Sequence, residues 1–367
     1  MKLLVFSPYY PPHMGGLETH SAEWNEAMGS LGYSITLLTP KIPNNTSPEE
    51  SFSWGIVLRY PAFEIVSGYP LPKFWHPSFW KVFFRLLKPS AIPDVVVTRT
   101  RFFFSSFLGF IYAFTVHRPL VHIEHGSDFV KLSSPLTTRL ALWYDYIFGR
   151  LVFKCATRNI AISQAVSLFI KRFDQRETPV IYRGIDTREI DSIPSAPKQN
   201  KVIITTAARL YAWKGIGNTI EAIRTLDTAL QSQIEFRIIG DGEDMSRLRK
   251  QAEELPIVLL GAKSRQEVIA YLKASDIFVH SSYPGGGLST SLLEALACGN
   301  AVIATPHEGA NEIIQDQKNG LLISDSHPAE IAQALRLLIS DTSLRHTLAE
   351  TGAATVRSQF NWEVSAK

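Results

Sequence analysis

Short apolar runs alternate with longer amphipathic stretches from end to end of this 367-residue chain. In the first half, strand-like runs lie at 3–7, 34–39, 56–60, 94–98, 120–124, 159–163 and 180–182. Helical periodicity between them predicts helices near 17–31, 74–88, 102–116, 137–153 and 164–172. The pattern breaks at 191–200, a polar stretch with two prolines that reads as a linker. It then restarts with strands at 201–206, 235–240, 257–261, 276–280, 301–305 and 320–323. Short Val/Ile/Leu runs separated by helices predict parallel sheets joined by right-handed crossovers. The expected architecture is therefore α/β: two doubly wound, Rossmann-like parallel-sheet domains, 1–190 and 201–350, facing across a cleft, with a terminal helix over 351–367. In such folds ligands bind at the carboxyl ends of the strands.

Composition narrows the picture. With 45% hydrophobic and 19% charged residues, both halves can bury a core. A net charge of only +3 gives no reason to expect nucleic acid as a partner, although a mildly basic, aromatic-rich surface suits an anionic membrane. Cys155 and Cys298 lack metal-ligand spacing and read as reduced thiols in a cytoplasmic compartment. The apolar run at 1–8 is too short for a secretory signal and reads as the first strand. The stretch 102–116 falls short of the roughly 20 residues needed to span a bilayer; a buried helix and a membrane-facing helix both remain open. The same two fates are open to the aromatic pairs Phe74-Trp75, Phe79-Trp80 and Phe83-Phe84.

Candidate chemistry concentrates at 278–305. A buried strand runs into the turn Pro284-Gly285-Gly286-Gly287, and a helix opens at Leu288-Ser289-Thr290-Ser291. Strand, glycine turn and helix N-terminus point backbone N–H groups of Gly286, Gly287, Thr290, Ser291 and Leu292 at an anion. Glu294, about one turn further on, is placed to accept hydrogen bonds from a ribose diol. Together these read as half of a nucleotide-sugar pocket. Arg209 and Lys214 flank the loop after the first strand of the second half; a planar fork and a point charge suit a diphosphate and the charge that builds as it departs. Gly15-Gly16, after the first strand, permit close approach of a ligand to a helix N-terminus. His125 ends the fifth strand, where a neutral imidazole can contact a hydroxyl, with Asp128 orienting it or binding acceptor. Gly240-Asp241-Gly242 reads as a turn with Asp241 capping the next helix, or as a ribose-edge contact. Arg183 reads as a hinge or cleft residue. Metal-ligand clusters, a Walker loop, a Gly-x-Ser-x-Gly elbow and a Gly-x-Gly-x-x-Gly after the first strand are all missing from the sequence.

The order of these motifs resembles the family-four retaining glycosyltransferases of the two-Rossmann-domain (GT-B) fold. The likeness rests on Gly15-Gly16, His125-Gly126-x-Asp128, Gly184-Ile185-Asp186, Arg209 with Lys214-Gly215, Gly240-Asp241-Gly242 and the run 292–299. It implies an acceptor-side first domain and a nucleotide-sugar-binding second domain, with the terminal helix crossing back towards the first. It implies transfer of a hexose from a UDP- or GDP-linked sugar to a hydroxyl of a glycan or lipid-linked acceptor, with no metal and no cofactor. Arg209 and Lys214 would hold the diphosphate, Glu294 the ribose, the backbone at Thr290, Ser291 and Leu292 the phosphates, and His125 the donor sugar. Gly15 and Gly16 would close the donor side; Asp128 and Arg183 are read from the sequence as acceptor or cleft residues. The expected setting is cell-envelope polysaccharide synthesis by a cytoplasmic enzyme peripheral to the inner membrane face. Two departures stand out: Gly286 occupies the place of the family's first motif glutamate, and Arg183 that of a frequent Asn. A catalytically silent nucleotide-sugar or partner-binding protein, and a sugar-nucleotide epimerase, are the competing readings.

Overall fold

A computed structural model describes every residue except Val66, Ser67, Lys131, Leu132, Ser133, Gln199, Gly285, Gly286, Glu308 and Lys367. The chain forms two compact units: Met1–Gly184 joined by the last residues from Ser365, and Ile185–Val364.

In the first unit the strands are β1 (Lys2–Phe6), β2 (Ser34–Pro40), β3 (Glu49–Phe52), β4 (Gly55–Tyr60), β5 (Ala62–Glu64), β6 (Pro70–Pro72), β7 (Val95–Arg99), β8 (Leu120–Glu124) and β9 (Arg158–Ala161). The helices are α1 (Gly16–Ser30), α2 (Pro77–Leu86), α3 (Phe104–Thr115), α4 (Pro135–Tyr144), a π-helical turn at Asp145–Gly149, α5 (Arg150–Cys155) and α6 (Gln164–Ile170). The main sheet runs β3-β4-β2-β1-β7-β8-β9. It is parallel except for β3, which pairs antiparallel with β4 at the edge. The sequence Glu49-Glu50-Ser51-Phe52 carries no apolar alternation because this edge strand is mostly exposed, which is why its pattern predicts no strand. β5 and β6 form a separate antiparallel pair. Of 180–182, only Val180 reaches a β partner, through one parallel bridge to Ala161. β1 leads leftward to β2, while β7 lies on the other side of β1, so the strand order reverses between β1 and β7. A core of Leu4, Phe6, Leu58 and Val96 on the strands packs against Phe79 and Leu86 of α2 and Leu108 and Tyr112 of α3.

The second unit contains α7 (Thr187–Ser192), β10 (Val202–Ala207), α8 (Ile216–Arg224), α9 (Thr228–Gln233), β11 (Ile234–Ile239), α10 (Met245–Gln251), β12 (Ile257–Gly261), α11 (Arg265–Lys273), β13 (Ile277–His280), α12 (Thr290–Ala297) and β14 (Ala301–Ala304). It closes with α13 (Ala310–Ile313), β15 (Leu321–Leu322), α14 (Pro328–Ser340), α15 (Thr342–Gln359) and α16 (Trp362–Ser365). The all-parallel sheet runs β12-β11-β10-β13-β14-β15, with its reversal between β10 and β13. Ile204, Ile238, Ile277, Val279 and Ile303 are enclosed by Ile220, Leu335 and Leu348 from the helices.

The division differs from the sequence expectation, which ends the first domain at 190 and reads 191–200 as a linker. The second unit begins at Ile185, and its first helix occupies 187–192. Asp186 caps that helix by accepting from the N–H groups of Arg188 and Glu189. Ile190 and Ile193 are buried, Lys273 donates to the carbonyls of Asp191 and Ile193, and Arg357 pairs with Asp191 at 2.7 Å. These contacts bind the segment to the second unit. The helical residues of 351–367 also lie further back than expected: α15 starts at Thr342 and packs on α12 and β14 inside the second unit.

Candidate active site

In the second unit, the site is assembled where the strand order reverses. The loop after β10 carries Arg209 and Lys214, and a short 3₁₀ turn at Ala212–Lys214 ends at Gly215 with φ +66°. A side chain at Gly215 would place its Cβ 2.0 Å from the Ser281 carbonyl oxygen, so only glycine lets this loop lie against the end of β13. Tyr283 N–H donates to the Trp213 carbonyl at 2.8 Å, and Ser281 Oγ donates to the Lys214 carbonyl at 3.2 Å. The Lys214 ammonium sits 4.2 Å from the centre of the Trp213 ring. Gly240, φ +137°, plays the same part from β11, since a Cβ there would meet the Ala208 carbonyl oxygen at 1.8 Å. Leu210 N–H donates to the Asp241 carbonyl at 2.9 Å. The Gly-Asp-Gly turn thus sets the backbone of the cationic loop. Asp241 is not the cap of α10: its carboxylate accepts from Gly242 N–H at 2.8 Å, and Asp244 occupies the cap position.

Past β13, α12 opens at Thr290 with Ser289 as its cap, the Ser289 hydroxyl accepting from Leu292 N–H. Thr290, Ser291 and Leu292 occupy the first turn of this helix. Gly287 lies beside Gly309, whose φ of +74° starts α13 and whose Cβ, if present, would fall 2.5 Å from Leu288 Cδ1. Gly286 is outside the described residues. Glu294 is 5% exposed and receives a hydrogen bond from Arg265 Nε at 3.0 Å. Arg265 also pairs through Nη1 with Glu189 of α7. Sequence reasoning missed Arg265. Its only signal is a cation just after the Ser264 cap of α11, and nothing local links that position to Glu294. Burial, with the Glu294 carboxylate nearby, pushes the Cys298 thiol up to about 12; both cysteines are free thiols.

In the first unit, a buried polar network stands at the carboxyl ends of β7 and β8. Glu124 is fully buried; its Oε1 accepts from the N–H groups of His125 at 2.9 Å and Gly126 at 2.7 Å. Arg101 Nη1 lies 3.2 Å from the same oxygen, and His122 Nε2 lies 3.2 Å from Oε2. Burial raises the Glu124 carboxyl, but the Arg101 guanidinium and the His122 ring outweigh it and hold the group well below the ordinary value. Arg101 also pairs with Asp145 at 3.1 Å, where burial nevertheless raises that carboxyl to about 6. This network fixes the backbone that presents His125.

The His125 ring is partly buried, with Nδ1 3.2 Å from Thr100 Oγ1 and Nε2 3.4 Å from His20 Nδ1. Burial, then the Arg99 charge, lowers its pKa to about 3, so the imidazole is neutral at physiological pH. His20, edge-on to it at 4.8 Å, is lowered well below the ordinary histidine value by burial and by His125. Asp128 does not orient His125, as the sequence suggested. Its carboxylate accepts from Phe129 N–H and lies 3.6 Å from Arg172, while its carbonyl accepts from Arg101. Thr100 and His20 hold the ring instead; neither neighbours His125 in sequence.

Gly15 precedes α1, and Gly16 is its first residue. Glu18 is buried in the first turn and meets His13 Nδ1, while the Tyr9 ring stacks on His13 at 4.0 Å. Arg183, expected to line the cleft or face acceptor, is 3% exposed; it donates to the Gly16 carbonyl at 3.1 Å and pairs with Glu23 at 3.5 Å. Its visible work is to hold the start of α1. Among the described residues no group of three His, Cys, Asp or Glu side chains is placed to hold a metal.

Two doubly wound sheets of this topology, each with its own switch point, have the fold of the GT-B glycosyltransferases. Residues 187–355 match the glycosyl transferases group 1 model and residues 14–189 the glycosyltransferase family 4 model. The chain is 41% identical to the uncharacterized glycosyltransferase MJ1069 of Methanocaldococcus jannaschii, over all of this chain and 96% of that one. The chain therefore belongs to the group 1, family-four glycosyltransferases. Among solved structures, sucrose-phosphate synthase from Thermosynechococcus elongatus superposes with a TM-score of 0.80 at 17% identity, covering 100% of this chain and 96% of that one. Anabaena HepE in complex with UDP-glucose gives 0.73 at 21% identity, covering 100% and 97%.

Proposed function

We propose that this glycosyltransferase moves a hexose from a UDP- or GDP-linked sugar to a hydroxyl of a glycan or lipid-linked acceptor, with retained anomeric configuration and without a metal. The observation that carries the reading is the clamped loop at the β10/β13 reversal, where Gly215 seats Lys214 against the end of β13. Arg209 and Lys214 bind the diphosphate there and stabilise it as it departs, taking the charge-neutralising part that a metal plays elsewhere. The first turn of α12, at Thr290 and Ser291, together with Gly287, supplies N–H groups to the phosphates, while the Leu292 N–H is held by the Ser289 cap. Glu294, held by Arg265, accepts from the ribose hydroxyls. Neutral His125 is assigned to a donor hydroxyl, Gly15 and Gly16 to the donor side, and Asp128 to the acceptor side; Arg183, buried against Gly16 and Glu23, supports the start of α1 instead. In the transfer, the bond from C1 of the sugar to the leaving phosphate oxygen breaks. The acceptor oxygen bonds to C1 on the same face, and its proton passes to the leaving diphosphate. The UDP-glucose complex of the Anabaena neighbour supports a nucleoside diphosphate sugar as donor. The product reaches the cell envelope from the cytoplasmic side.

A thermal-shift panel of UDP, GDP, ADP and their common sugars, with and without magnesium, tests the reading. A ligand at about 100 times its dissociation constant adds roughly 2.7 kcal/mol to stability. The expected result is a magnesium-independent shift with one uridine or guanosine nucleotide, followed by transfer from that sugar with retention by NMR. A folded sample that responds to none of them overturns it.

A further inference from the structure

The first unit presents an outer helical face whose composition is that of a membrane interface. Three connections, β4 to β7, β7 to β8 and β8 to β9, all run in the same direction across the sheet, opposite to β1 to β2. Right-handed crossovers therefore place α2, α3 and the α4–α5 segment on one side of it, with α1 on the other. Contacts agree: Tyr112 of α3 donates to the Leu86 carbonyl at the end of α2, and Phe107 of α3 meets Phe148 of the π turn edge-to-face at 4.7 Å.

The inward sides of these helices fill the core, but their outward sides do not turn polar. On α4, the π turn and α5, Leu136, Leu140, Trp143, Ile147 and Leu151 are all exposed. Their spacings of four, three, four and four residues make one stripe, with the extra residue of the π turn absorbed between Trp143 and Leu151. α3 adds Ile111 and Phe114, the latter 76% exposed. α2 adds Trp80 and Phe84, which with Trp75, Lys81, Arg85 and Lys88 line an open hollow of about 760 Å³.

Charge is one-sided. Residues 74–93 and 102–123 contain no Asp or Glu, and 134–158 contain only Asp145, which is buried against Arg101. The exposed ionic groups of this layer are cations, among them Lys81, Lys88, Arg118, Arg139, Arg150 and Lys154. Arg85 alone among those named is neutralised, by Glu49 at 2.6 Å. An ordinary solvated helix face interleaves both signs. Trp and Phe with flanking Lys and Arg instead match the boundary between acyl chains and anionic headgroups. No described helix is long and apolar enough to cross a membrane, so contact here is in the plane of the interface.

We infer that the outer face of α2, α3 and the α4–α5 segment docks the protein on an anionic lipid bilayer, its aromatic and aliphatic residues entering the interface and its cations meeting lipid phosphates. A bilayer suits the face better than a second copy of the chain, because copies would oppose cation to cation. This deepens the reading of a lipid-linked acceptor, yet the residues assigned to the nucleotide belong to the other unit, and nucleotide binding can be measured separately.

Full-length protein is mixed with vesicles of phosphatidylcholine alone or containing about 30% phosphatidylglycerol, and partition is read by co-sedimentation and tryptophan fluorescence. The expected result is binding to the anionic vesicles at least tenfold tighter than to neutral ones, weakened several-fold by 0.5 M salt, with a blue shift. The pair Phe84→Ser and Trp143→Ser, and separately Lys81→Glu with Lys88→Glu, should each reduce binding about tenfold while melting temperature and nucleotide binding stay unchanged. Equal binding to both vesicle types, no binding, or variants that bind like the parent would overturn the inference. Conversion of a dimer to a monomer by the apolar pair, with vesicle binding unaltered, would assign the face to self-association. Loss of nucleotide binding in the parent protein, with vesicle binding intact, would sink the donor reading alone.

Discussion

Arg209 and Lys214 carry the donor proposal at the level of single residues, and each is testable alone. Charged hydrogen bonds of this kind contribute about 1.5–3 kcal/mol, so Arg209→Ala or Lys214→Ala should weaken diphosphate binding roughly 10- to 150-fold by calorimetry. Unchanged nucleotide affinity in both would remove the pair from the site. His125 differs because its ring is kept neutral, with a pKa near 3. It should lower kcat when replaced by Ala, about tenfold or more, with little change in nucleotide affinity; parallel losses in both would contradict the role. The neutral ring also predicts no inflection from His125 in the kcat profile between pH 6 and 8, and an inflection lost in the Ala variant would show that the ring titrates there. These residues could be picked out as candidates in the sequence because each stands near a glycine or a strand end. Their supports were not. Arg101, Glu124 and Asp145 form one network, yet Asp145 is 44 positions from Arg101, and the pairing exists only because β7, β8 and the π turn converge. Thr100, just after β7, and His20 of α1 reach His125 in the same way.

At the scale of elements, the parallel strands announced themselves because both of their faces are buried and they read as uninterrupted apolar runs. What escaped was built from exposed or proline-rich sequence: β3 on the sheet edge, the β5–β6 pair, and α7, whose helix is held by partners distant in sequence rather than by its own six residues. That last element matters for the site. α7, α11 and α12 are joined by the chain Glu189, Arg265, Glu294, so the carboxylate assigned to ribose is oriented from two other helices. Arg265→Ala removes the Nε–H that a nearly buried carboxylate accepts. It should cost about 1–3 kcal/mol of folding stability and weaken nucleotide binding, whereas Arg265→Lys restores part of both. Glu294→Gln should weaken nucleotide binding with a smaller stability change. If denaturant midpoints and nucleotide affinity are unmoved by Arg265→Ala, the three-helix linkage has no bearing on the site.

At the scale of the molecule, each unit has its own sheet and core, and the two respond to different variables. In the first unit His20 and His125 have folded pKa values below the ordinary one, so the unfolded chain binds more protons as pH falls below about 6.5. Their stabilisation is complete above that pH and is lost progressively towards pH 3. Glu124, also depressed, adds a loss in the same direction once pH falls below the ordinary carboxylate value. Asp145, raised to about 6, works the opposite way between pH 6 and 4, since the folded state takes up its proton first. Two imidazoles against one carboxyl leave a net loss on acidification. The nucleotide of the proposed donor binds in the second unit. Calorimetry at pH 7.5 and pH 5.0, each with and without saturating nucleotide, should show two transitions rather than one. Acid should lower the first-unit transition by several degrees more than the second, and nucleotide should raise the second selectively. His125→Phe should flatten the acid response of the first transition. A first-unit transition that is as stable at pH 5.0 as at pH 7.5 would mean that His20 and His125 are protonated in the folded state, and the neutral imidazole assigned to the donor sugar would go with them.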